Sequence, residues 1–140
     1  MIILDTNVIS ETMKREPDCR VLSWLDAQAP QTLYLSSITI AELLFGVSVI
    51  PLSKRRDQLV SKIDQLIQLF ENRILSFDLD AARSYSQLAL RARTEGLGFP
   101  TPDAYIAGIA GSKRLMVASR DTGPYISVGL PVINPWETPC

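Results

Sequence analysis

Short aliphatic runs alternate along this chain with longer segments of helical period, a pattern that points to an α/β domain built on a largely parallel sheet. Ile2-Ile3-Leu4 predicts a buried first strand, Leu33-Tyr34-Leu35 a second, Ile74 to Phe77 a third and Leu115 to Ala118 a fourth. Val132-Ile133 predicts a fifth before Pro135. A length of 140 residues suits one compact domain spanning 1–140 and is too short for two ordinary ones.

The intervening segments read as helices. One begins after Asp5-Thr6-Asn7, and Pro17-Asp18 opens another whose Val21, Leu22 and Leu25 share a face. Thr39 to Ile50 places Ile40, Leu43, Leu44 and Val47 on one apolar stripe and stops at Pro51. Lys54 to Phe70 buries Leu59, Ile63, Leu66, Ile67 and Phe70, with Asn72 as the stop. Asp78 caps a helix that ends at Gly96. Thr101 as N-cap and Pro102 at the first helical position begin the last main helix, with Ile106, Ile109 and Ala110 turned inward. Asp121-Thr122-Gly123 reads as a turn.

Composition narrows the chemistry by one absence, since the chain contains no histidine. Histidine triads, histidine general bases and most zinc sites are excluded, which leaves carboxylates, hydroxyls, Lys, Arg, Tyr or a bound metal. Cys19 and Cys140 are expected to be free thiols in a reducing cytoplasm. The first residues carry neither a basic leader nor a long apolar segment, so neither export nor a membrane span is expected. The formal net charge of −1 gives no global pull on nucleic acid. Affinity for phosphate would have to come from local groups such as Lys14-Arg15, Lys54-Arg55-Arg56, Arg91 with Arg93, or Lys113-Arg114, each of which also reads as solvated helix surface.

Four acids stand where such a fold makes sites. Asp5 ends the first strand, Glu42 and Asp103 fall in the first turns of their helices, and Asp121 follows the fourth strand. In an open parallel sheet ligands bind beyond the carboxyl ends of the strands, where the strand order reverses, so residues distant in sequence can share one crevice. Each acid also has a local explanation. Asp5 can cap a helix, Asp103 can complement a helix dipole, Thr39 to Glu42 matches a capping box, and Asp121 can form a turn. Only the joint pattern points to a site. Four converging carboxylates repel unless protons or cations neutralise them, and oxygen ligands without His or usable Cys select Mg²⁺ or Mn²⁺. With phosphate as substrate, that is metal-dependent phosphoryl hydrolysis.

Four segments carry a resemblance as well. Met1 to Ser10 with Asp5-Thr6-Asn7, Ser36 to Leu43 with Glu42, Pro102-Asp103-Ala104-Tyr105-Ile106-Ala107, and Ala118-Ser119-Arg120-Asp121-Thr122-Gly123 together resemble PIN-domain toxins of the VapC type, in their FitB-like branch. The likeness extends through Val132 to Trp136. It implies a three-layer α/β/α sandwich around a mostly parallel sheet of four to five strands, and Mg²⁺- or Mn²⁺-dependent endoribonuclease activity. It further implies that Asp5, Glu42, Asp103 and Asp121 hold metal and activate water, supported by Thr6, Asn7 and Ser119. Its implied partners are an RNA substrate, a second copy in a homodimer, and a cognate antitoxin that inserts a basic side chain into the acidic pocket. Two positions depart from the family pattern. Ser119 replaces the usual Thr, and Pro124-Tyr125 stands where an Asp-Phe pair is common.

Two other functions compete. A haloacid-dehalogenase-like phosphatase also opens with an Asp after a hydrophobic strand, but that pattern wants a second acid two residues on, and position 7 is Asn. A catalytically silent PIN-like interaction domain would keep the fold without needing all four acids.

Overall fold

The computed structural model describes residues 1–140. Its five strands are β1 (Ile2–Leu4), β2 (Leu33–Ser36), β3 (Ile74–Leu75), β4 (Met116–Ala118) and β5 (Val132–Ile133). They form one sheet in the order β3-β2-β1-β4-β5, with every neighbouring pair parallel. The helices are α1 (Thr6–Thr12), α2 (Cys19–Asp26), α3 (Ser37–Ser48), α4 (Lys54–Leu69), α5 (Leu79–Thr94), α6 (Thr101–Lys113) and α7 (Gly123–Ser127). The expected parallel α/β architecture is therefore present.

Period-two alternation within the strands divides the core into two faces. Leu4, Leu35 and Ala118 pack with Val8, Ile9, Val21, Trp24, Val47 and Ile63 on one side. Ile3 and Val117 pack with Ala81, Ile106, Ile109 and Tyr125 on the other. Two apolar layers sandwiching one sheet make the three-layer arrangement. Helix α6 is buried on most of its circumference because Ala104, Ala107, Gly108 and Ala110 let α5 approach closely. A Cβ on Gly108 would stand 2.8 Å from the Ala81 carbonyl oxygen and 2.8 Å from the Tyr85 Cβ.

Several local expectations are corrected. Helix α3 starts two residues early because Ser36, not Thr39, is its N-cap, its hydroxyl accepting from the Thr39 N–H at 3.0 Å. Glu42 thus lies in the second turn, where it is free of capping duty. Helix α6 starts one residue early, with Pro100 at the N-cap position and Pro102 one place inside Thr101, so Asp103 is the third helical residue. Leu44 and Leu22 are exposed, and Trp24 takes the buried place on α2. The turn at Asp121-Thr122-Gly123 leads into α7, which sequence reading missed, and the third strand stops at Leu75. Cys19 and Cys140 are joined in a disulfide, contrary to the free thiols expected, with Cα atoms 5.2 Å apart. Folding brings the last residue against the start of α2, a proximity that a sequence separation of 121 conceals.

Candidate metal centre and acidic cleft

The sheet order reverses at β1, which pairs with β2 on one side and β4 on the other. The ladder runs right up to the candidate site. The Asp5 N–H donates to the Ala118 carbonyl at 2.9 Å and the Ser119 N–H to that of Ile133 at 3.0 Å. Both side chains emerge from rigid strand ends, and helices α3 and α6 deliver Glu42 and Asp103 toward the same crevice. A cleft of about 400 Å³ results, walled by Asp5, Thr6, Asn7, Glu42 and Asp103, with Ser10, Glu11, Lys14, Arg120 and Trp136 completing its rim.

Three of the four expected acids therefore line one space. Asp121 does not line it; it is solvent-exposed, with its backbone N–H donating to the Ser119 hydroxyl at 3.1 Å. Its charge still reaches both Asp5 and Asp103.

Asp5 is 2% exposed and held on both carboxylate oxygens. Oδ1 accepts from the Thr6 N–H at 2.7 Å, while Oδ2 accepts from the Ser119 hydroxyl at 2.8 Å and the Tyr125 hydroxyl at 2.9 Å. Ser119 in turn accepts from the Asn7 amide at 3.1 Å, and the Asn7 carbonyl oxygen accepts from the Arg120 N–H at 3.3 Å. Thr6 Oγ1 donates to Glu42 Oε1 at 2.7 Å and lies 3.0 Å from the Thr39 hydroxyl. The three polar residues expected to support the acids thus each touch one of them or a neighbour that does.

Charge crowding leaves its mark on the protonation equilibria. Burial raises Asp5 above the ordinary carboxylate range against the pull of its three hydrogen bonds, and Asp121 adds to the rise. Asp103 is pushed up to about 6, first by burial and then by the charges of Asp5, Asp121 and Glu42. Burial and the neighbouring negative charges both disfavour the ionised form of this acid, and positive charge in the cleft would relieve them. A hard divalent cation fits this donor set, which is all oxygen and anionic. No three carboxylates are drawn together into a ready-made cage.

Sequence reading missed Tyr125, Glu11, Arg120 and Trp136. Tyr125 is fully buried in α7, and its hydroxyl is held neutral by burial and by the Asp5 and Asp103 charges. Glu11 is buried, lies on the rim, accepts from Lys14 at 2.9 Å and is kept ionised by that bond. Arg120 stacks over the Trp136 ring at 5.3 Å. Of the basic clusters in the sequence, only the first contributes to the cleft, through Lys14. Arg55 bonds the Met13 carbonyl, Arg91 that of Val128, and Lys113 pairs with Asp78.

A parallel α/β sheet with a carboxylate-walled cleft at its reversal point defines a class of protein built to receive a hard cation and an anionic ligand beside it. The PIN domain model matches residues 2–127, and the chain belongs to that family. It is 51% identical over 138 residues to plasmid stability protein StbB of Pseudomonas syringae pv. tomato, covering 98% of this chain and 99% of the relative. Identity to VapC ribonuclease Y4jK of Sinorhizobium fredii is 50%, with the same coverage. The crystal structure of FitAcB from Neisseria gonorrhoeae superposes with a TM-score of 0.93 at 42% identity, covering 98% of this chain and 99% of that one. Nucleases of the PIN family generally depend on a divalent metal.

Proposed function

We propose that this protein is a Mg²⁺- or Mn²⁺-dependent endoribonuclease and the toxin of a type II toxin–antitoxin pair, working in the cytoplasm as one domain over residues 1–140. The observation that carries this reading is the convergence of Asp5, Glu42 and Asp103 on one cleft, with Asp103 holding its proton up to about pH 6. The kinship with a VapC ribonuclease across nearly the whole chain supports the choice of RNA as substrate. No helix is long and apolar enough to cross a membrane.

Asp5, Glu42 and Asp103 would hold the cation, and Asp121 would add negative charge from behind Ser119. A divalent cation held there would supply the acidified water and the positive charge that phosphodiester hydrolysis needs. The chain's own residues do the rest. Thr6 holds Glu42, while Ser119 and Tyr125 hold Asp5, so the acids meet the substrate without rearranging. Lys14 and Arg120 on the rim face the phosphates that flank the reacting one. The same acidic cleft suits a basic side chain inserted by the antitoxin, which would compete with metal and RNA at once. A homodimer is part of this proposal.

The test incubates purified protein with mixed RNA, with Mn²⁺ or with EDTA, beside Asp5→Asn. We expect cleavage only with metal, and a loss of at least about 100-fold in the variant, since even changes to groups around a metal's ligands cost about 10–100-fold. Equal cleavage by both proteins, or cleavage that survives EDTA, would refute the mechanism.

A further inference from the structure

Tyr125 is the largest fully buried side chain in the molecule, yet its one polar atom points at the most buried acid of the cleft. A core position ordinarily takes Phe when no polar partner is needed, because a buried hydroxyl must find a bond to offset its lost hydration. This hydroxyl finds Asp5 Oδ2 at 2.9 Å. The ring is fixed by its place in α7 and by an edge-on contact with Phe99, whose ring centroid lies 6.3 Å away.

A carboxylate oxygen has two lone-pair sites, four for the whole group. On Asp5, Oδ2 takes two donors, Ser119 Oγ–H and Tyr125 O–H, so both of its sites are filled. Oδ1 takes only the Thr6 N–H and keeps one site open. Every buried side-chain nitrogen and oxygen in the protein has a partner.

We propose that Tyr125 is a positioning residue: with Ser119 it occupies Oδ2 of Asp5 and leaves Oδ1 as the single oxygen through which Asp5 can ligate a divalent cation. The inference rests on the metal-dependent reading above and sharpens it. A carboxylate restricted to one oxygen suits a small ion with octahedral demands, whereas Ca²⁺ commonly takes both oxygens of a carboxylate in a looser shell. Tyr125 thereby biases the cleft toward Mg²⁺ and Mn²⁺ and against Ca²⁺. The residue stands outside the four acids and the three polar groups expected to support them.

The experiment measures Mn²⁺ and Ca²⁺ binding by titration calorimetry on wild type and Tyr125→Phe. We expect Tyr125→Phe to bind Mn²⁺ about 10-fold more weakly, as losses of outer hydrogen bonds to metal ligands do. Its Ca²⁺ affinity should hold or rise, so the ratio of the two affinities shifts toward Ca²⁺. In RNA cleavage the variant should lose kcat with KM for RNA unchanged. Ser119→Ala removes the other donor to Oδ2 and should shift the ratio in the same direction, which keeps the test available if Tyr125→Phe folds poorly. An unchanged ratio in a folded variant overturns the inference while leaving the nuclease reading intact. Wild type that binds neither ion and cleaves no RNA overturns the reading itself.

Discussion

Replacing Asp103 by Asn should stabilise the metal-free protein at neutral pH, although the same change removes a group that the nuclease needs. Asp103 is raised from 3.8 to about 6, first by burial and then by the facing charges of Asp5, Asp121 and Glu42. Between those two values the native state keeps the proton and the unfolded chain has released it, so stability falls as pH rises through the window and levels off above it. At pH 7 the full cost of the ionised form is present; well below the window it is absent. A shift of this size has a ceiling of about 3 kcal/mol, and solvent screening of this half-buried group brings the working figure to about 1 kcal/mol. Asn copies the neutral form and escapes the cost. In EDTA at pH 7 the variant should melt about 3–4 °C above wild type, the shift expected for a domain of this size. At pH 4 the two should converge. Excess Mn²⁺ should reverse the order at pH 7, because ligand stabilisation of about 2.7 kcal/mol at one hundred times Kd goes to the protein that keeps its acid. A variant that melts at or below wild type at pH 7 in EDTA would refute the claim that these acids repel across one cleft.

Two further outcomes follow from the packing. Gly108→Ala drives a methyl group against the Ala81 carbonyl and the Tyr85 Cβ, both 2.8 Å from where it would sit, so α5 and α6 must separate. The expected loss is about 1–3 kcal/mol in a urea melt, and an unchanged midpoint would show that the two helices are not held at this distance in solution. Reduction of Cys19–Cys140 opens a loop spanning a sequence separation of 121. In the chain-entropy account a link of that span contributes on the order of 4–5 kcal/mol, so the melting temperature should fall under reductant, and identical melts with and without it would count against a persistent bond.

Legibility from sequence divided along the difference between local and distant constraints. Strands β1, β2, β4 and β5 were visible because each is a short aliphatic run bounded by turn formers, a signal contained in a handful of neighbouring residues. The caps of α3 and α6 lie three residues and one residue before the expected Thr39 and Thr101, because several hydroxyl and proline positions compete. Ser36 outdoes Thr39 since the β2 ladder already holds Ser36 extended at the very point where α3 begins. The acids were legible for a different reason: Asp5, Glu42 and Asp103 occupy element ends, and a parallel sheet sends such ends to one edge. Asp121 obeys the same topology yet stays outside the cleft, because its backbone bond to Ser119 turns the chain toward α7.

Tyr125 shows what pattern reading cannot weigh. Within its segment it is an aromatic residue in a five-residue helix, and nothing beside it in the sequence distinguishes a core ring from a hydrogen-bond donor. Its role exists only because β1 and α7, separated by 120 positions, close on one another and place a neutral hydroxyl against a buried carboxylate. Burial drives Asp5, at 2% exposure, toward the protonated form, and these donors work against that shift. Thr6, Ser119 and Tyr125 thus pull the buried Asp5 toward its ionised form, while Asp103, which faces the other acids with no hydrogen-bond donor from the protein, is pushed up to about 6. Two acids in one cleft are therefore held differently, one fixed on both oxygens by hydrogen-bond donors and the other facing its neighbours without any.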